Sequence, residues 1–261
     1  MDSQINEKKS FWQSKKKRNA FITVASLLLV LVIAAGGCAI YLGDYYRADR
    51  KAIDTFAPMS KVEYDEMPNG SIVFKPETPV AGFIFYPGGK VENDAYMPLM
   101  AALAEKGVLC VLVEMPFNLA VFNMNAADGV TDRYPEVDMW YIGGHSLGGA
   151  MAAAYVADHS DEYDGLVLLG AYSTADLNGT GLDVLSVFGS EDKVMDREKY
   201  DESKSNLPDG FAEIIIEGGC HAYFGMYGAQ DGDGEPKITN EEQIYITADA
   251  VYEMMIGNKK S

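Results

Sequence analysis

The chain has 261 residues, 48% of them hydrophobic, a formal net charge of −18 and three cysteines; that length suits one sizeable core with an appendage, and the cysteines imply no disulfide framework. Charge is unevenly divided, with 8 Lys or Arg against 4 Asp or Glu in residues 1–50 and 13 against 35 in the remainder. So acidic a body repels polyanions and excludes nucleic acid as a partner.

Residues 1–19 form a basic tail containing Lys8, Lys9, Lys15, Lys16, Lys17 and Arg18. From Ala20 to Leu42 the chain reads AFITVASLLLVLVIAAGGCAIYL, 23 residues without a charge. At about 1.5 Å per helical residue this can cross a hydrocarbon core of about 30 Å. A cleaved signal peptide has a shorter apolar stretch, and a lipoprotein signal at Cys38 needs a leucine-like residue where Ala35 stands. The sequence therefore predicts a retained transmembrane signal-anchor over 20–42. The basic flank holds the N-terminus in the cytoplasm and the body outside the plasma membrane.

Residues 43–60 read as a stalk, helical from Asp44 to about Phe56 and ended by Pro58. The domain proper spans 61–257. It opens with a hairpin around Asn69-Gly70, a strong turn signal. Strands and helices then alternate: AGFIFYP (strand), AYMPLMAALAEKG (helix), VLCVLVEMP (strand), NLAVFNMNAADGV (helix), MWYIGG (strand), SLGGAMAAAYVADH (helix), GLVLLGAY and LDVLSVFG (strands), a polar helix near 196–206, FAEIIIEGG (strand), and a last helix from about Asn240 to Ile256. Short apolar runs between amphipathic segments predict an α/β class domain whose mostly parallel strands are buried on both faces by flanking helices. Ligands bind such a sheet at the carboxyl ends of its strands.

At one of those ends stands YIGGHSLGGA, residues 141–150. A Gly-x-Ser-x-Gly run gains meaning only from context, and here it joins a strand to a helix, the setting of a nucleophile elbow. In so sharp a turn, Cβ atoms at Gly144 and Gly148 would collide with neighbouring chain. A serine hydroxyl needs a base, and the base needs an acid to orient it. Of the three histidines, His145 precedes the serine and points away from its hydroxyl, and His159 caps a helix. His221 follows the strand FAEIIIEGG in the loop GGCHAYFGMYG, which makes it the expected base. The acid should follow LDVLSVFG, where Asp192 is preferred to Glu191. The order Ser146, Asp192, His221 is that of an α/β-hydrolase. The developing oxyanion needs two backbone N–H groups: one from Leu147, the other from Gly89 or Lys90 in the glycine-rich loop after AGFIFYP.

In YPGGKV, EMPFNLAVF, GGHSLGGAMAA, VFGSEDKV and EGGCHAYFGMYG, taken in order, the chain resembles the α/β-hydrolase family, most closely its small lidless dienelactone hydrolase and carboxylesterase types. The resemblance covers about residues 60–257. It implies a serine hydrolase cleaving an ester or related acyl bond of a small-molecule substrate through an acyl-enzyme, with Ser146, Asp192 and His221 as the triad and no cofactor. Lipase-type members begin the oxyanion loop with His-Gly, where this chain has Pro87-Gly88. Two other readings are an acyltransferase using the same triad and a non-catalytic recognition domain on a hydrolase scaffold.

Between GLVLLGAY and LDVLSVFG lie only the ten residues STADLNGTGL, too few for a helical cap, so an open mouth is expected there. Tyr86, Phe117, Tyr223, Phe224 and Met226 are candidates for its rim. DGDGEPKITNEE imitates a calcium loop but carries Pro236 where that loop needs Gly. It reads as a solvated acidic loop leading to a helix capped by Thr239 or Asn240, with Gln243 in the first turn, and no metal is expected.

Overall fold

The computed structural model describes residues 2–257 and divides into two units, with the boundary between Asp44 and Tyr45. The first unit is one helix, α1 (Asp2–Gly43). Its part Asn19–Gly43, 25 residues long, is apolar and long enough to cross a membrane, and none of it is buried.

The second unit starts at Tyr45, so most of the segment expected as a stalk belongs to it. The only α-helix there is α2 (Arg50–Thr55), capped by the Asp49 side chain, which accepts from Ala52 N, and a 3-10 turn over Ala57–Ser60 follows it. Ile53 and Phe56 are buried. Two apolar side chains three residues apart make one face of a short helix, and that face packs on the domain, with the Phe56 ring 5.1 Å from that of Tyr245 and tilted 34° to it. Upstream, Tyr46 N donates to Lys90 O at 2.7 Å.

The hairpin β1 (Tyr64–Glu66) and β2 (Ile72–Phe74) is antiparallel around Asn69-Gly70. The remaining strands are β3 (Ala81–Tyr86), β4 (Val108–Leu112), β5 (Trp140–His145), β6 (Gly165–Leu169), β7 (Asp183–Gly189) and β8 (Ala212–Ile216). They form one sheet in the order β1-β2-β4-β3-β5-β6-β7-β8, parallel from β4 to β8 with β2 antiparallel to β4. Helices α3 (Met97–Glu105), α4 (Leu147–Asp158), α5 (Arg197–Ser203) and α6 (Asn240–Gly257) complete the unit.

Alternation along β3 shows how the layers are filled. Phe83 and Phe85 point into a core shared with Leu99 of α3 and Ile244 of α6. Ile84 and Tyr86 point the other way, into a core with Ala152 and Val156 of α4. Strands flanked by helices on both faces must be apolar at every position, and all of β3 to β6 is buried. Strand β8 closes the edge and is mostly exposed.

The segment NLAVFNMNAADGV, expected as a helix, contains only the 3-10 turn Ala120–Phe122, between one ending at its first residue, Pro116–Asn118, and one just after it, Thr131–Arg133. Phe117 and Asn118 both have positive φ, 57° and 55°, and an L-residue pair in that region breaks a right-handed helix at its start. Asn123, Asn125, Asp128 and Gly129 then favour turns. Phe117, Val121, Phe122 and Met124 are consequently left exposed.

Candidate active site

At the carboxyl end of β5 the chain turns into α4 through Ser146, whose φ of 51° and ψ of −122° lie outside the ordinary range of an L-residue. Such strain persists where surrounding structure imposes it. Here Ser146 N donates to Leu169 O at 2.9 Å, and both flanking glycines touch backbone. A Cβ on Gly144 would lie 2.5 Å from Tyr86 O, and one on Gly148 would overlap the Tyr86 and Pro87 carbonyls. The serine hydroxyl is thereby presented on a tight, rigid turn.

The loop after β7 supplies Asp192, and the loop after β8 supplies His221. Asp192 Oδ2 stands 2.8 Å from His221 Nδ1, with both side chains buried. The other carboxylate oxygen accepts from Val194 N and Met195 N, each at 2.9 Å. Three bonds to one carboxylate leave it a single orientation. Gly170, at φ 52°, abuts the pair so closely that a Cβ there would lie 3.0 Å from His221 Nδ1. Glu191, the other candidate acid, points to the surface and binds Lys237 Nζ at 2.5 Å.

Ser146 and His221 line one cavity of about 350 Å³, with Leu147, Met151, Tyr172 and Met195 among its other walls. His221 Nε2 is buried and takes no hydrogen bond. It is the ring nitrogen left over once Asp192 has engaged the other. Of the remaining histidines, His159 stacks on Tyr155 and pairs with Glu162 at the surface, whereas His145 is buried beside His221, with ring centroids 4.5 Å apart.

The two candidates for second oxyanion donor differ sharply. Lys90 N donates to Asn118 O at 2.7 Å, so its amide is already engaged. Gly89 lies against Leu147, since a Cβ on Gly89 would meet the Leu147 side chain at 2.8 Å. Gly88 N is also taken, by Tyr96 Oη at 3.1 Å. Gly89 is left as the loop amide next to Leu147.

Most of the expected rim belongs to the core. Tyr86, Phe224 and Met226 are buried, Tyr86 because its hydroxyl donates to Met124 O and accepts from Ala127 N. Tyr223 is half-buried, and Phe117 is 59% exposed. The cavity is walled from the β6 side instead. There Gly170 to Leu182 carries no helix among the described residues and contributes Ala171, Tyr172 and Thr174.

Two further residues hold the His221 loop. Gln243, buried on α6, accepts from Cys220 N at 2.9 Å and donates to Cys220 O at 2.8 Å. Asp233 accepts from Ala222 N at 2.9 Å. Gln243, expected in the capped first turn of α6, faces the loop instead; Glu242 completes the cap, accepting from Thr239 N and donating its own N–H to Thr239 Oγ1, and Asp233, expected in a solvated loop, is drawn into this contact. The available signal for Gln243 was its position one residue before Ile244 on the buried face of an amphipathic helix.

The alpha/beta hydrolase family matches the chain over residues 82–245. Among solved structures, a dienelactone hydrolase from Anabaena variabilis superposes with a TM-score of 0.57 at 13% identity, over 75% of this chain and 98% of that one. Est1E from Butyrivibrio proteoclasticus gives 0.55 at 15% identity, over 77% and 99%. Carboxyl esterase 2 from the fungus Tuber melanosporum gives 0.51 at 13%, over 74% and 86%. At these identities the likeness is one of fold. No curated protein sequence matches the chain.

Proposed function

We propose, for a chain that belongs to the alpha/beta hydrolase family, that it hydrolyses an ester or related acyl bond with Ser146 as nucleophile, His221 as base and Asp192 as its orienting acid. The observation that carries this reading is the buried 2.8 Å contact of Asp192 with His221 Nδ1, which leaves Nε2 as the ring nitrogen for the serine proton in a residue that lines the same cavity as Ser146. His221 Nε2 takes the Ser146 proton as Oγ attacks the acyl carbon, and the Leu147 and Gly89 N–H groups bind the oxyanion. The proton then passes to the leaving alkoxide, and water repeats the sequence on the acyl-enzyme. The hydroxyl comes within reach of Nε2 when substrate is bound, since such contacts are often loose in free enzymes. Esterase neighbours, one of them a structure with ferulic acid bound to Est1E, support an acyl substrate with an apolar part. The cavity walls of Met151, Val194 and Met195 suit one.

Labelling of intact cells with a fluorophosphonate probe tests this directly. A labelled band that disappears in Ser146→Ala is expected; an unlabelled wild-type chain would leave a non-catalytic recognition domain as the better reading.

We further propose that α1 anchors the chain in the plasma membrane with the catalytic unit outside. Six basic residues precede the uncharged run, and this is the flank that stays cytoplasmic. Protease added to intact cells is expected to remove the domain and spare the basic tail, as read with a tag at each end. A protected domain would reverse the orientation.

Substrate charge follows from the acidic surface. With 13 Lys or Arg against 35 Asp or Glu beyond residue 50, and Asp196 the one Asp, Glu, Lys or Arg among the described residues that line the cavity, anionic esters meet a repulsive field. That field is screened over about 10 Å at 0.1 M salt. A neutral ester should show the higher kcat/KM than its carboxylate-bearing analogue, by a margin that narrows as salt is added. An anionic analogue preferred at low salt would contradict this.

A further inference from the structure

A buried polar chain joins the oxyanion loop to the base. Tyr96, immediately before α3, is fully buried. Its hydroxyl accepts from Gly88 N at 3.1 Å and lies 2.8 Å from His145 Nδ1. The Gly88 amide can only donate, and among the described residues Tyr96 Oη meets no acceptor other than Nδ1, so the buried phenolic proton goes to Nδ1, which accepts it. His145 therefore carries its own ring proton on Nε2. That atom is buried and turned towards the His221 main chain, whose acceptor favours a proton on it. The two imidazoles lie with centroids 4.5 Å apart, and the Phe224 ring lies 5.5 Å from that of His145. Burial, and after it the adjacent His221, hold the His145 pKa well below the usual histidine range.

We propose that Tyr96 and His145 are a positioning pair: they tie the oxyanion loop at Gly88 to the triad base, the Nε2-protonated His145 ring being the wall that sets the angle of the His221 imidazole. This rests on the triad reading above. Neither residue touches substrate. Both act through His221 and through the Gly88 amide, whose neighbour Gly89 faces Leu147. Loop and base are then held in one register, as a step that needs both at once requires.

Tyr96→Phe removes one oxygen and cuts the chain. It is expected to lower kcat on p-nitrophenyl acetate by about 10- to 100-fold with KM changed by less than about two-fold, the size of effect that misplacing a reacting group produces. His145→Leu should do the same. The double variant should be no worse than His145→Leu alone, because a chain cut once has nothing more to lose. Fluorophosphonate titration counts the folded, reactive enzyme in each sample, so unfolding does not pass for slow turnover.

A second measurement needs no variant. The chain has three histidines, and nitrogen-15 spectra of the labelled full chain should show His145 as the neutral Nε2–H tautomer from about pH 5 to about pH 9, a range in which an ordinary histidine titrates. A proton on Nδ1, titration within that range, or losses that multiply in the double variant would each overturn the pair. A dead Ser146→Ala beside fully active Tyr96→Phe and His145→Leu overturns the pair and leaves the triad standing. An active Ser146→Ala removes the triad reading, while the tautomer measured for His145 is unaffected.

Discussion

Ser146→Ala is expected to reduce kcat on short p-nitrophenyl esters at least about ten-thousandfold, because removal of a triad nucleophile leaves only the oxyanion donors and substrate binding to act. The fold should survive. Alanine occupies the same φ of 51° with no larger Cβ than serine, so the melting temperature should stay close to that of wild type. Ser146→Gly should be equally inactive and more stable, since glycine enters this backbone region without the cost, roughly 1–3 kcal/mol, that a side chain bears there. For a domain of this size each kilocalorie corresponds to about 2–4 °C. Residual Ser146→Ala activity above about a hundredth of wild type would mean that another group attacks the ester, given the losses usual for triad serines. Loss of activity in Ser146→Gly with a lowered melting temperature would show that the strain assigned to the elbow is absent.

The second large effect is expected at Asp192→Asn, and the geometry says why a nearly isosteric change should be so damaging. One carboxylate oxygen accepts two backbone N–H groups, from Val194 and Met195, and the other accepts from His221 Nδ1. An asparagine must keep its oxygen towards the two backbone donors and therefore present its NH₂ to His221. Nδ1 then becomes the acceptor and the ring proton moves to Nε2, where it blocks uptake of the serine proton. A fall in kcat of about ten-thousandfold is expected from this wrong tautomer. Glu191→Gln should change kcat less than about two-fold, because its carboxylate pairs with Lys237 at the surface and has no contact with His221. If Glu191→Gln proved the more damaging of the two, the acid would move by one residue.

How far the site could be read from sequence depended on how local each constraint was. The elbow was legible because its requirements lie within five residues: a strand, a serine, glycines where neighbouring backbone leaves no room for Cβ, and a helix. The loop acid and the loop histidine were legible as positions after strands, but their 2.8 Å contact depends on β7 and β8 being neighbours. Lys90 and Gly89 look alike in the sequence. They part only because Asn118, on a turn with positive φ, brings its carbonyl to Lys90 N. The same turn is why the expected helix over 118–130 does not form. Phe117 and its neighbours have the right hydrophobicity for a helix and the wrong backbone for one.

By itself the sequence determined the alternation of strands and helices, the uncharged 23-residue run at the N-terminus and the acidic balance of the rest, since periodicity, length and net charge are sums over neighbouring residues. Only the tertiary structure decided which polar groups meet. It made residues 45–60 part of the domain, because the small apolar face of Ile53 and Phe56 found a surface to cover. It drew Tyr86, Phe224 and Met226 of the expected rim into the core, Tyr86 because its hydroxyl found the Met124 carbonyl and the Ala127 amide. It also assigned Gln243 and Asp233 to the His221 loop. A hydrogen bond between residues 23 apart, such as Gln243 to Cys220, leaves no mark in either segment's composition. Its partners are selected by which strands and helices the two cores bring side by side, and that selection exists only after the whole sheet is assembled.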